Sequence, residues 1–124
     1  MIYGIGTDIT EVRRFVKWAA DPGMIIRFFN KNEVMDQGSD AARCQHYAVR
    51  FAAKEAFSKA LGTGITGFEL RDVFIKKNKE GRPELCVQGS ARSLFNRRCP
   101  NGRIFVSLSH EKEYAVAVVV IDTE

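Results

Sequence analysis

Asp8 and Glu55 are acids in places where a purely solvating carboxylate is out of keeping with its neighbours. Asp8 follows Gly4-Ile5-Gly6-Thr7 at the end of a segment that reads as a short strand, with a helix expected from Thr10 or Glu11. Two readings stand for it. With Glu11 three residues on, it resembles a capping box; alternatively it is a metal ligand at a strand's end. Glu55 falls in a predicted long helix, where each residue turns by about 100°. Arg43, Arg50, Lys54 and Ser58 then share a polar stripe, and Val49, Ala53, Ala56, Phe57 and Ala60 form an apolar face. Glu55 joins neither. It lies among Cys44, Ala48, Phe51 and Ala52, with Lys59 one turn on. An i,i+4 pair with Lys59, worth about 0.2 to 0.5 kcal/mol, is one account of it. A carboxylate set among small residues to admit a metal and a ligand is the other.

The glycines bear on the same question. Gly4-Ile5-Gly6 lacks the third glycine of a dinucleotide fingerprint, and an acid at position 8 would repel a phosphate unless a cation stood between them. Hard oxygen ligands of this kind suit magnesium, which is typically held by one or two carboxylates together with substrate phosphates. Gly62, Gly64 and Gly67 form a loop after the long helix whose backbone can approach a ligand, although Gly62 alone reads as a helix C-cap. Ser107, Ser109 and His110 do not make a serine hydrolase: there is no GxSxG elbow, and residues so close on one strand do not form a triad. His46 is expected to be an exposed surface residue.

These residues need a scaffold. Val12, Phe15, Val16 and Ala19 recur at helical spacing, Asp21-Pro22-Gly23 breaks that helix, and Ile25, Ile26, Phe28 and Phe29 form a second amphipathic piece. After a break at Gln37-Gly38-Ser39-Asp40, the long helix runs from about Ala41 to Leu61 and closes at Gly62. Strands are expected over Phe68 to Lys76 and Leu85 to Gln88, joined as a hairpin by Asn78-Lys79-Glu80-Gly81. A short helix over Ser90 to Arg97 follows, then strands over Arg103 to Ser109 and Tyr114 to Ile121 around the turn His110-Glu111-Lys112-Glu113. The last strand, nearly continuous Val and Ala, is expected at the sheet's centre. The fold class is therefore α+β, one domain over residues 1–124 with a long central helix packed on a mainly antiparallel sheet.

Composition narrows the function further. A chain of 14.0 kDa with 45% hydrophobic and 27% charged residues is that of a soluble globular domain. Met1-Ile2-Tyr3-Gly4 shows no basic segment before an apolar run, and no apolar run of spanning length occurs, so neither secretion nor a membrane role is expected. Cys44, Cys86 and Cys99 are odd in number and lack metal-site spacing, which points to reduced thiols and a cytoplasmic location. A net charge of +4 favours an acidic partner. A basic nucleic-acid-binding domain using Lys76, Lys77, Lys79 and Arg82, or Arg92, Arg97, Arg98 and Arg103, is the alternative from another class. It lacks an RNP-type or helix-turn-helix signature, so no nucleic-acid partner is expected. A non-catalytic oligomerisation module is a third, disfavoured by the intact Asp8, Glu55 and Lys59.

Three segments together resemble the bacterial holo-acyl-carrier-protein synthases, the small trimeric type of phosphopantetheinyl transferase: Gly4-Ile5-Gly6-Thr7-Asp8-Ile9, the run from Arg50-Phe51-Ala52-Ala53-Lys54-Glu55 through Gly62-Thr63-Gly64, and Val106-Ser107-Leu108-Ser109-His110. The resemblance spans nearly the whole chain. It implies a homotrimer with active sites at subunit interfaces. It also implies a magnesium ion, coenzyme A as phosphopantetheine donor and the serine of an apo-acyl carrier protein as acceptor, in fatty acid biosynthesis. By position, it assigns Asp8 and Glu55 as metal ligands and Asp8, Glu55 and Lys59 as the catalytic set. Lys59 would contact the diphosphate, with Arg50, Gly62, Thr63, Gly64, Ser109 and His110 seating coenzyme A. The carrier-protein contact maps onto Arg13, Arg14, Lys17 and Phe51. At Asp21-Pro22-Gly23-Met24 the chain departs from the pattern, where members often carry more basic residues.

Overall fold

The computed structural model describes residues 1–123. Its axis is α3 (Asp40–Leu61), 22 residues long. Ser39 caps its start, Oγ accepting from Ala42 N at 3.1 Å, and Gly62 ends it at φ 84°, a left-handed turn that only glycine adopts without cost. From Tyr47 to Leu61 every residue of α3 is buried except Arg50, Glu55 and Lys59.

One face of α3 lies on a three-stranded antiparallel sheet in the order β1 (Ile2–Glu11), β5 (Tyr114–Asp122), β4 (Arg103–His110). The central place of β5 agrees with its apolar sequence, and Ala115, Ala117, Val119 and Ile121 are fully buried beneath α3. β1 approaches the helix through Gly4 and Gly6. A Cβ at either would overlap a carbonyl oxygen of α3, that of Ala60 or Ala56 respectively. These glycines thus serve backbone contact between strand and helix. A separate hairpin, β2 (Val73–Lys77) with β3 (Pro83–Val87), and α4 (Gly89–Arg98) close the other side.

Four expectations are corrected. β1 continues through Glu11, and only then do a 3-10 turn (Val12–Phe15) and the single turn α1 (Val16–Ala19) follow. Asp8 is therefore in mid-strand and caps no helix. Asp21-Pro22-Gly23 does separate two helices, but it does so by starting the second: Asp21 Oδ1 accepts from Met24 N at 3.2 Å and proline opens α2 (Pro22–Phe28). Residues 68–72 alternate like a strand yet contain a 3-10 turn at Leu70–Asp72, because the carbonyls of Leu70 and Val73 are taken by the Lys54 ammonium rather than by a ladder partner. Finally, the polar stripe of α3 is not solvated: Lys54 and Ser58 are 0% and 1% exposed. No helix among the described residues is long and apolar enough to cross a membrane.

Candidate active site

Alternation along β1 directs Gly4, Gly6, Asp8 and Thr10 toward α3, as their cross-strand partners Ile121, Val119, Ala117 and Ala115 show. Where the glycines bring the backbones together, the next inward residue, Asp8, comes level with the open strip of α3. Lys59 Nζ donates to Asp8 Oδ1 at 3.3 Å and to Thr7 O at 2.9 Å. The i,i+4 pair of Glu55 with Lys59 does not form; Lys59 turns to the strand instead. Among the described residues the Glu55 carboxylate has neither ion pair nor hydrogen bond.

Burial pushes the Glu55 pKa up, and the nearby charge of Asp8 pushes the same way, against weaker opposition from Lys59 and Arg14. Two neighbouring acids in a partly desolvated cleft repel each other, an arrangement that a divalent cation between them would relieve. No group of three or more His, Cys, Asp or Glu side chains is arranged as a metal cage among the described residues. Two carboxylates leave most of a coordination shell to waters and ligand oxygens, which fits magnesium with a phosphate substrate.

The other expected site residues divide into those near this cleft and those turned away. Gly62-Thr63-Gly64 continues directly from Lys59, with Gly64 and Gly67 also left-handed at φ 62° and 86°. Both Gly62 N and Thr63 N are spent on the Ser58 carbonyl, so Gly62 is a helix cap first. Arg50 is half-buried on another side of α3, donating to His46 O at 3.2 Å. Ser109 pairs with Val116 in the row of Ile9, on the sheet face opposite α3. His110 is exposed at the end of β4 and shares the row of Thr10. Within one chain, Arg50 and Ser109 are not brought to Asp8 and Glu55. Adjacent residues of a strand face opposite ways, which also separates Ser109 from His110.

Arg13, Arg14 and Lys17 are exposed, and Arg14 bears on Glu55. Arg13 pairs with Glu11 at 2.6 Å. Phe51 is only 4% exposed and lies under Arg14, whose guanidinium stands 5.2 Å from its ring centre and also over Trp18 and Phe15. That Arg14 also bears on Glu55 was not foreseen, since sequence spacing says nothing of contacts between α3 and the turn before α1. Nor is His46 a plain surface residue. It is half-buried, Nε2 lies 2.6 Å from Glu33 O, and burial with the nearby Arg50 pushes its pKa down to about 4. The basic residues weighed for polynucleotide binding are dispersed over the hairpin, α4 and the edge of β4, where Arg103 pairs with Asp122.

The profile of the 4'-phosphopantetheinyl transferase superfamily matches residues 4–119. The chain is 44% identical over 124 residues to a holo-[acyl-carrier-protein] synthase of Treponema pallidum subsp. pallidum, covering 100% of this chain and 98% of that one. It is 47% identical over 125 residues to the one of Treponema denticola, covering 98% and 99%. Among solved structures, the holo-[acyl-carrier-protein] synthase of Neisseria meningitidis superposes with a TM-score of 0.86 at 32% identity, over 99% of this chain and 100% of that chain. The synthase of Bacillus anthracis, solved in complex with CoA (3',5'-ADP), gives 0.79 at 33% identity over 100% and 99%.

Proposed function

The chain belongs to the 4'-phosphopantetheinyl transferase superfamily, and we propose that it acts as a holo-[acyl-carrier-protein] synthase with Asp8, Glu55 and Lys59 as its reacting centre. It moves the 4'-phosphopantetheine group of coenzyme A onto a serine hydroxyl of apo-acyl carrier protein. The observation that carries the site assignment is the pair of converging acids, Asp8 held by Lys59 and Glu55 left without a partner.

Phosphoryl transfer asks chiefly for positioning and for charge stabilisation. Asp8 and Glu55 would hold magnesium, which when bound supplies positive charge to the diphosphate oxygens. Lys59, an exposed side chain, would leave Asp8 for the diphosphate. The serine oxygen attacks the β-phosphate as adenosine 3',5'-bisphosphate departs, a weakly basic leaving group that needs no strong acid. Glu55, directly or through a water, would take the serine proton.

A homotrimer with sites between subunits accommodates the residues that face away. The sheet face opposite α3 carries Ile5, Ile9, Val118 and Phe105, with Ile5 and Ile9 61% and 64% exposed. An apolar sheet face of this kind is what an oligomer covers. In this reading Arg50 and Ser109 act on coenzyme A held by a neighbouring copy. Arg14, over the aromatic bed of Phe15, Trp18 and Phe51, and the exposed Lys17 meet the acidic carrier protein.

The test is direct. Apo-acyl carrier protein incubated with coenzyme A and this chain should gain the mass of one phosphopantetheine, with magnesium and not after chelation. No mass gain at any magnesium concentration would defeat the reading, and a monomer in sedimentation would defeat the trimer.

A further inference from the structure

Lys54 precedes Glu55 in sequence, yet its side chain runs the other way, into the protein. Three acceptors surround its ammonium: Glu33 Oε1 at 2.6 Å, Leu70 O at 3.1 Å and Val73 O. An ammonium has three protons to donate, so the set is complete. Glu33, also buried, accepts in addition from Asn30 N at 3.1 Å and Ile75 N at 3.0 Å. Burial pulls the Lys54 pKa down while Glu33 draws it up. A buried pair of this kind is commonly no more stabilising than an apolar pair of equal volume, so its value lies in the geometry that it imposes.

That geometry concerns one loop. Residues 62–69 leave α3 at Gly62 and rejoin regular structure at Leu70. At the near end, Gly62 N and Thr63 N bind Ser58 O at 3.1 and 3.2 Å. At the far end, Lys54 holds the carbonyls of Leu70 and Val73, and Asn30 Nδ2 holds that of Arg71 at 3.0 Å. Between these posts the bonds are local, Thr63 Oγ1 to Gly64 O and Thr66 Oγ1 to Thr63 O, apart from Glu69 N to Ser90 Oγ at 3.0 Å. Ser58 at one post and Lys54 at the other stand on α3, which also carries Glu55 and Lys59.

We infer that Lys54 is a positioning residue for coenzyme A: by clamping residues 70–73 to α3, it fixes the span across which the Gly62-Thr63-Gly64 loop hangs beside Lys59. The inference rests on the reading of the chain as a coenzyme A-dependent transferase. Lys54 touches no substrate.

The test compares Lys54→Met and the double variant Glu33→Leu/Lys54→Met, the second replacing the ion pair by an apolar one that keeps the core filled, with Asn30→Ser, which loses the bond to Arg71 O but retains a capping oxygen. In the folded double variant the coenzyme A KM should rise tenfold or more while the carrier-protein KM stays within twofold, and the amides of residues 63–68 should exchange faster. Asn30→Ser should raise the coenzyme A KM severalfold. A merely structural role would lower the melting temperature or the active fraction and leave both KM values alone. An unchanged coenzyme A KM in the folded double variant overturns the inference, as does an unchanged value in Asn30→Ser should the double variant not fold. If the wild-type chain loads no carrier protein, the functional reading fails instead, and this inference with it.

Discussion

Lys59 reaches across from α3 to Asp8 on β1, Nζ to Oδ1 at 3.3 Å, although helical spacing offers it Glu55. The strand wins because Lys59 gains the Thr7 carbonyl at 2.9 Å in the same place. Glu55 is left as an acid without a partner among the described residues.

Glu55→Gln should remove that acid while keeping its shape. Transfer should fall by about 10² to 10⁴-fold, as for loss of a general base. Fold and oligomeric state should not change, since the carboxylate bonds to nothing among the described residues. Turnover can be followed by carrier-protein mass and assembly by sedimentation; near-native turnover would refute the assignment.

Lys59→Met should separate chemistry from stability. The pair with Asp8 is half in solvent, so its loss should cost less than about 1 kcal/mol. kcat/KM for coenzyme A should nevertheless drop by about 10² or more, as when one donor to a developing charge is removed. A melting curve and a coenzyme A titration decide it.

Arg14→Glu should weaken use of the carrier protein and spare coenzyme A binding. Its guanidinium rests on Phe51, Trp18 and Phe15 with its charge outward. An acceptor KM at least tenfold higher is expected from loss of one charged contact, about 1.4 kcal/mol, with like-charge repulsion adding to it. An unchanged acceptor KM would move the docking surface elsewhere.

Gly6→Ala tests how Asp8 is placed. The added methyl meets the Ala56 carbonyl oxygen, backbone that has no rotamer to yield. Destabilisation of roughly 1 to 3 kcal/mol is expected from such overpacking. Transfer should fall in the protein that remains folded, because β1 must stand off from Glu55. Denaturant unfolding and specific activity per folded molecule measure the two effects.

His46 should make the fold sensitive to mild acid. Unfolded, it takes a proton near pH 6.5; folded, only near 4, held down by burial and by Arg50, Lys77 and Arg43 against its bond to Glu33 O. Between those values protonation favours the unfolded chain. The stability is complete above pH 6.5 and is lost as pH falls toward 4. The ring is half in solvent, so the loss is on the order of 1 kcal/mol. His46→Gln should flatten the melting temperature over this range; an unchanged slope would refute it.

Where a residue's neighbours lie close in sequence, the chain was readable. The Val and Ala run of β5 implied the central strand of the sheet, and Gly62 implied the end of α3. What misled were residues whose partners come from afar. Lys54 reads as solvated polar stripe until Glu33, Leu70 and Val73 close over it. Residues 68–72 alternate in polarity, but their carbonyls are claimed by that lysine. Asp8 looked like a cap because β1 runs three residues past it, and the only local hint was an unbroken run of β-compatible residues. Of the site, the two acids and Lys59 were legible; Arg50 and Ser109 were not placed by one chain's geometry.

β1 writes two messages in alternate letters. Gly4, Gly6 and Asp8 face the helix; Ile5 and Ile9 face outward. Each outward residue can change over generations without disturbing the acid, and the reverse also holds, but their number cannot change. One residue inserted between Gly6 and Asp8 would turn the rest of the strand over, setting Asp8 among the outward apolar residues and turning Ile9 toward the helix. Substitution can uncouple the reacting centre from the outer surface; insertion or deletion strikes both at once.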